Sequence, residues 1–285
     1  MIRRLLTAAP PAFEPGPGRT DGGGLRFTFL GTAGFVVSSP ERTFAIDPYL
    51  SRADLRTTVF GRLAIDEERV ARHVPAADEV LVGHSHYDHA LDAPAVARRT
   101  GARLVGSSAT AQIARAYGFD MSRFVEVRAG DSVACGAARA TALESRHGRA
   151  FLGRVPFPGD IVAPPSWPPR ASELRHGAVF HWLLETAGTS VLHVDTADFY
   201  EDRLARADVL LLCAAGRQYR RDYTRLLLER VRPDLVIPCH WDDFSIPVEA
   251  PPRQLPGVDV EGFVEEIRAC GARAVVLAPL QTWSV

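Results

Sequence analysis

The chain has 285 residues and is 46% hydrophobic, enough to bury one large core in a single domain. Its 33 basic and 34 acidic residues leave a net charge of −1, so no global field favours nucleic acid or an anionic membrane surface. Every basic residue is arginine, which excludes lysine as a Schiff-base amine or catalytic base.

Residues 1–24 carry Pro10, Pro11, Pro15, Pro17 and a Gly22-Gly23-Gly24 run, the composition of a flexible arm outside the fold. The apolar run Leu5-Leu6 is too short for a signal-peptide core, and no later run is long enough to span a bilayer. Cys135, Cys213, Cys239 and Cys270 are scattered with no C-x-x-C pair, as expected of free thiols in a reducing, cytoplasmic compartment. The sequence carries no signal for oligomeric state.

The folded part opens with an alternating strand, Leu25 to Leu30, a turn at Gly31 to Gly34, and a returning strand, Phe35 to Ser38. A third strand, Arg42 to Asp47, ends before Pro48, where an Asp commonly caps a turn. Asp66 to His73 reads as a helix with acidic residues in its first turn, and Glu79 to Gly83 as a strand running into a turn. His84-Ser85-His86-Tyr87-Asp88-His89 follows, then a helix from Leu91 to Thr100 with Pro94 in its first turn. Arg103 to Gly106 is a strand, and Ser108 is placed to cap the helix carrying Ile113 to Tyr117. Val125 to Leu143 reads as strands ending just before His147-Gly148. Phe151 to His176 holds six prolines besides Phe157 and Trp167; neither helix nor strand can run through it. A long loop inside a domain is most often a lid or binding loop, so the segment is expected to line a substrate pocket. Val179 to Glu185 and Thr189 to Val194 form a hairpin around Gly188 that delivers Asp195, and Asp198 is placed to cap a helix from Phe199. A buried-type strand, Asp208 to Cys213, precedes a helix from Tyr219 to Val231 whose arginines read as a solvated face. Asp234 to Pro238 is a strand running into Cys239-His240-Trp241-Asp242-Asp243; Val260 to Cys270 is a helix, and Arg273 to Leu277 a last strand. Alternating strands and helices at this spacing make layered α/β architecture.

The stretch 84–89 carries the chemistry. Imidazole nitrogens and carboxylate oxygens are ligands for borderline cations such as zinc. His84 and His86, two apart, project to one side of an extended chain, while Asp88 and His89 follow at another phase as the chain turns. That spacing suits two adjacent metals better than one.

The H-x-H-x-D-H stretch resembles the signature of the metallo-β-lactamase superfamily. Gly31 to Phe35, Asp47-Pro48-Tyr49-Leu50, His147, Asp195-Thr196 and His240 occur in that family's order, over a span from about Leu25 to the C-terminus. The likeness is greatest to the branch of ascorbate-6-phosphate lactonase-like and N-acyl-phosphatidylethanolamine phospholipase D-like enzymes. It implies a four-layer αββα sandwich of two mixed sheets flanked by helices. Residues 25–285 would then be one domain, with 151–176 as its Pro-rich lid. It implies His84, His86 and His147 on one divalent ion, Asp88, His89 and His240 on a second, and Asp195 bridging them. Zinc is the expected metal, with manganese or iron as alternatives. Asp47 would hold a ligand His in one tautomer. Where the family has Gly before the bridging Asp, this chain has Val194.

The reaction so implied is hydrolysis of a small molecule, a phosphodiester, phosphorylated ester or lactone, by a hydroxide shared between the metals, with Asp88 and His240 in catalytic positions. Phe157, Trp167 and Trp241 are the candidate pocket walls. His73, His181 and His193 read as surface or sheet-face residues. Two other classes stay open, a mononuclear iron enzyme of the thiol-oxygenase kind and a metal-binding module without turnover.

Overall fold

Residues 24–285 are described in the structure, a computed structural model of the chain. The expectation of a flexible arm falls on residues that, Gly24 apart, lie outside this range. Two mixed sheets form the centre. The first contains β1 (Arg26–Gly31), β2 (Gly34–Ser38), β3 (Thr43–Ile46), β4 (Glu79–Leu81), β5 (Arg103–Gly106), β6 (Phe124–Glu126) and β14 (Thr282–Ser284), in the order β14-β1-β2-β3-β4-β5-β6. The second contains β7 (Ser132–Cys135), β8 (Ala138–Ser145), β9 (Val179–Thr186), β10 (Thr189–Val194), β11 (Val209–Cys213), β12 (Leu235–Cys239) and β13 (Arg273–Ala274), in the order β13-β12-β11-β10-β9-β8-β7.

Period-two alternation decides which side chains go where. Phe44, Ile46, Leu81 and Val105 point into the core between the sheets, and Ala45, Val80, Val82 and Leu104 point the other way. Both faces are apolar because both are covered, as parallel strands require. α2 (Glu67–His73), α4 (Ala93–Thr100) and α5 (Ser108–Tyr117) cover the first sheet through Val70, Val96 and Ile113. α6 (Tyr223–Val231) and α7 (Val260–Ala269) cover the second through Leu227, Phe263 and Ile267. The expected αββα layering is therefore present. No helix of the described residues is long and apolar enough to cross a membrane.

Several local expectations are corrected. The helix expected from Leu91 begins at Ala93, preceded by a short α3 (Tyr87–Ala90) that contains the ligand candidates Asp88 and His89. Ser107, not Ser108, caps α5, its hydroxyl accepting the Thr110 amide at 3.3 Å. Asp198 begins no α-helix; it accepts the Phe199 amide and pairs with Arg146 and Arg220. α6 starts at Tyr223, after a turn centred on Asp222 at φ 55°. The last strand is cut to Arg273–Ala274, and β14, unforeseen, closes the edge of the first sheet by pairing with β1.

The Pro-rich segment is a strap tied to the chain around α1 (Leu55–Phe60). Arg62 donates to Ser166 Oγ and Pro168 O, both at 2.7 Å, and the Leu63 amide donates to Pro169 O at 2.7 Å. At its other end the Ser85 amide, between two ligand candidates, donates to His176 O at 2.9 Å.

Candidate metal centre

Strand ends supply the cluster. His84 and His86 follow β4, His147 follows β8, Asp195 follows β10 and His240 follows β12. Gly83 makes room, since a Cβ there would strike the Asp195 carboxylate and the backbone of Phe180. His240 sits at φ 53°, a backbone conformation uncommon for a residue with a Cβ, and its amide donates to Thr32 O. That contact is fixed from below. Asp242 accepts the Thr32 amide at 2.8 Å and pairs with Arg52 at 2.7 Å, both side chains 1% exposed. Removing either partner would leave an unpaired buried charge, at about 3–5 kcal/mol.

The seven expected ligands fall into three overlapping groups, His84/His86/His147, His84/His89/Asp195 and Asp88/His89/His240, with donor atoms within 4.8 Å of one another inside each group. His84 Nε2 faces His86 Nδ1 at 3.1 Å, and His84 Nδ1 lies 2.6 Å from Asp195 Oδ2. Asp88 Oδ2 lies 3.4 Å from His240 Nε2 and 3.7 Å from His89 Nε2. Asp47 Oδ2 accepts from His89 Nδ1 at 2.9 Å while its other oxygen accepts the Gly83 amide at 2.7 Å, fixing the tautomer that leaves His89 Nε2 for Asp88 and His240. His147 Nδ1 donates to Gly148 O at 2.7 Å, leaving its Nε2 free in the same way.

Three of the five ligand histidines are held neutral, as metal binding requires, whereas His89 must give up a proton to bind a cation. Burial pushes the His86 imidazole down to about 3 and His147 to about 4, and holds His84 well below the usual range, so all three are neutral ligands. At His89 burial opposes charge, but the carboxylates of Asp88, Asp47 and Asp195 outweigh it and hold the imidazolium up to about 9. Burial likewise opposes charge on Asp88, yet His89 and His240 keep it below the usual carboxylate range. Buried Asp195 Oδ1 finds no hydrogen-bond partner among the described residues, and a cation held by the cluster would satisfy it. The donor set of imidazole nitrogens and carboxylate oxygens suits zinc, and admits manganese or iron.

The pocket walls are divided. Phe157, at φ 34°, brings its ring to 6.2 Å from His86. Trp167 lies instead against Tyr117 at 5.4 Å, on the helical layer, because the strap is tied there. Trp241 is fully buried in the inter-sheet core, 6.2 Å from Phe29, so it is floor rather than wall. His181 and His193 are buried sheet residues bonded to Ser145 Oγ and Ala33 O. Two residues at the cluster escaped the sequence reading. Phe244 packs 5.4 Å from His240, and His176 lies 5.8 Å from His147 and 5.9 Å from His86. A signal for His176 exists, since Arg-His-Gly occurs at 146–148 and again at 175–177.

Comparison with known proteins places the arrangement. The profile of the β-lactamase superfamily domain matches residues 26–240. A UPF0173 metal-dependent hydrolase of Anaeromyxobacter sp. (strain K) is 28% identical over 262 residues, 87% of this chain and 81% of the relative. Among solved structures, Igni18, a metallo hydrolase of the archaeon Ignicoccus hospitalis, aligns with TM-score 0.59 and 21% identity, over 92% of this chain and 98% of that one. CmlA, a diiron β-hydroxylase of Streptomyces venezuelae, aligns with TM-score 0.60 and 18% identity, over 92% of this chain and 54% of its own. With three-quarters of its length under that profile and its sheets, strand ends and histidines arranged as described, the chain belongs to the β-lactamase superfamily.

Proposed function

We propose that this metal-dependent hydrolase of the β-lactamase superfamily works with a pair of divalent cations, zinc first, held by His84, His86 and His147 on one side and Asp88, His89 and His240 on the other, with Asp195 between. The observation that carries the reading is the overlap of the three donor groups, His84 and His89 each belonging to two of them. Two cations so held would supply a water of pKa about 7 as nucleophile and a Lewis acid for a substrate oxygen. The chain's own residues do the rest. Asp88, kept ionised, sits where it can accept a proton from the attacking solvent, and His240 lies 3.4 Å from it. Asp47 holds His89 in register, and Phe157 and Phe244 flank the cluster on its two sides and limit access of bulk water.

The substrate class is an ester bond of a small molecule, a phosphodiester, phosphorylated ester or lactone. The lean toward phosphorus rests on the sequence resemblance to one branch of the superfamily. A diiron hydroxylase shares the fold, so architecture alone does not choose hydrolysis over oxidation; the presence of a second complete donor group, Asp88/His89/His240, favours a dinuclear centre over a mononuclear iron one. The test is a panel of a bis-aryl phosphate, a homoserine lactone, a γ-lactone and a β-lactam chromophore. His86→Ala and Asp88→Ala should each lower kcat/KM at least a thousandfold on whichever probe turns over, with the circular dichroism spectrum kept. Full turnover in either variant would refute the assigned roles.

A further inference from the structure

The turn between β1 and β2, Gly31 to Gly34, is gripped from the opposite sheet at three points. The His240 amide donates to Thr32 O, Asp242 accepts the Thr32 amide at 2.8 Å, and His193 Nε2 lies 2.7 Å from Ala33 O. The first two grips come from the chain just after β12, and the third from β10, two residues before Asp195. On its own side the turn presses on the residue that holds His89, since a Cβ on Gly34 would come within 2.9 Å of Asp47 O. Thr32 itself sits at φ 55°, a conformation that a residue with a Cβ keeps only where its surroundings impose it.

His193 is the grip that the metal centre has not yet absorbed. It is fully buried on β10, beside Trp182 of β9 and Leu211 of β11, with its ring edge-on to Phe35 at 6.1 Å. Ala33 O can only accept, so His193 Nε2 carries a proton and donates it in a short bond. Its other nitrogen, Nδ1, is buried without a hydrogen-bond partner among the described residues. A side chain that served packing alone would not bury a polar atom in this way, so the bond to Ala33 is what the imidazole contributes.

We propose that His193 is a positioning residue for the second donor group. His193 and Asp195 share a strand end, and Ala33 and Thr32 share a turn, so a closed loop runs Asp195, His193, Ala33, Thr32, His240. Its only non-covalent joints are the His193 to Ala33 bond and the His240 to Thr32 bond. Holding the turn at Ala33 therefore sets where His240 stands relative to Asp195. His86 and His147 lie outside the loop. The proposal rests on the two-cation reading above and adds to it a residue that touches neither cation.

The test loads the full chain with cadmium-113, and separately with zinc. The wild type should give two cadmium resonances, the one lost in His240→Ala belonging to the second group. His193→Met, which has similar reach and no donor, should shift or broaden that resonance and leave the other in place. It should also weaken the second zinc equivalent by about 10–100-fold in competition with a chromophoric chelator. His193→Gln, whose amide N–H donates, should recover most of both. A measurement on the wild type stands even if His193→Met does not fold. By linkage, filling the second site should slow solvent exchange of the His193 Nε2 proton, a resonance identified by its absence in His193→Gln. Unchanged exchange overturns the proposal. So does His193→Met with a lowered melting temperature and both cadmium resonances in place, or moved equally, and either result leaves the two-cation reading standing. A single cadmium resonance in the wild type overturns both.

Discussion

Asp47 shows how much one side chain can decide. It sits at φ 44° at the end of β3, fully buried, with one oxygen on the Gly83 amide and the other on His89 Nδ1. It therefore fixes both the turn that launches the ligand loop and the tautomer of one ligand. Partners of this kind are typically worth about 10–100-fold in metal affinity. Asp47→Ala should weaken binding of the second equivalent of zinc by that factor, read by competition with a chromophoric chelator, and weaken the first equivalent less, through the Gly83 turn alone. Equal weakening of both would contradict the division into two donor groups. At this scale the sequence was most informative where the chemistry is local. Residues 84–89 carry four ligands in six positions, and their meaning needs no tertiary information. His147, Asp195 and His240 could be placed only by resemblance, because lone residues at strand ends have no local signature. Phe244 stayed hidden for the same reason, and His176, though it shares the Arg-His-Gly triplet of His147, gains its meaning only from partner rings brought near by the fold.

Among the elements, the break between α3 and α4 is instructive. Asp92 precedes Ala93-Pro94, where an acidic residue would normally cap its own helix, yet it makes no such bond. Its carboxylate turns instead to the loop after β3, accepting the Leu50 and Ser51 amides at 2.6 and 2.7 Å and the Ser51 hydroxyl at 2.6 Å. The metal loop's helix and the loop carrying Arg52 are thereby tied, and the helix expected from Leu91 starts at Ala93 instead. Burial raises the Asp92 carboxyl to about 6, against the hydrogen bonds that lower it. The sign follows from linkage. A carboxyl whose folded pKa lies above its unfolded one contributes stability in full below about pH 4, and that contribution is lost as pH rises through 6, about 3 kcal/mol in all. Asp92→Asn, which cannot titrate, should flatten the stability profile between pH 4 and 6 in chemical denaturation. A wild type whose stability does not fall across that window would contradict the assignment. The strap illustrates the opposite case. Its prolines told that no regular element could form, but its course past α1 depends on Arg62, Leu63 and the Phe60 carbonyl, far away in sequence, the last reached by Arg170 of the strap.

On the scale of the whole molecule, the layering was legible because buried parallel strands and amphipathic helices leave different patterns. The closing strand β14 was not, since Thr282–Ser284 is three residues long and gains its identity only from pairing with β1. The two sheets meet at the centre, with the first supplying His84 and His86 and the second His147, Asp195 and His240. A cation pair there would join the halves of the sandwich as well as serve the chemistry. Elemental analysis of the purified, dialysed protein tests that most directly. The account predicts about two zinc or manganese ions per chain, falling to about one in the His240→Ala variant; a single iron per chain, or no retained metal, would contradict it.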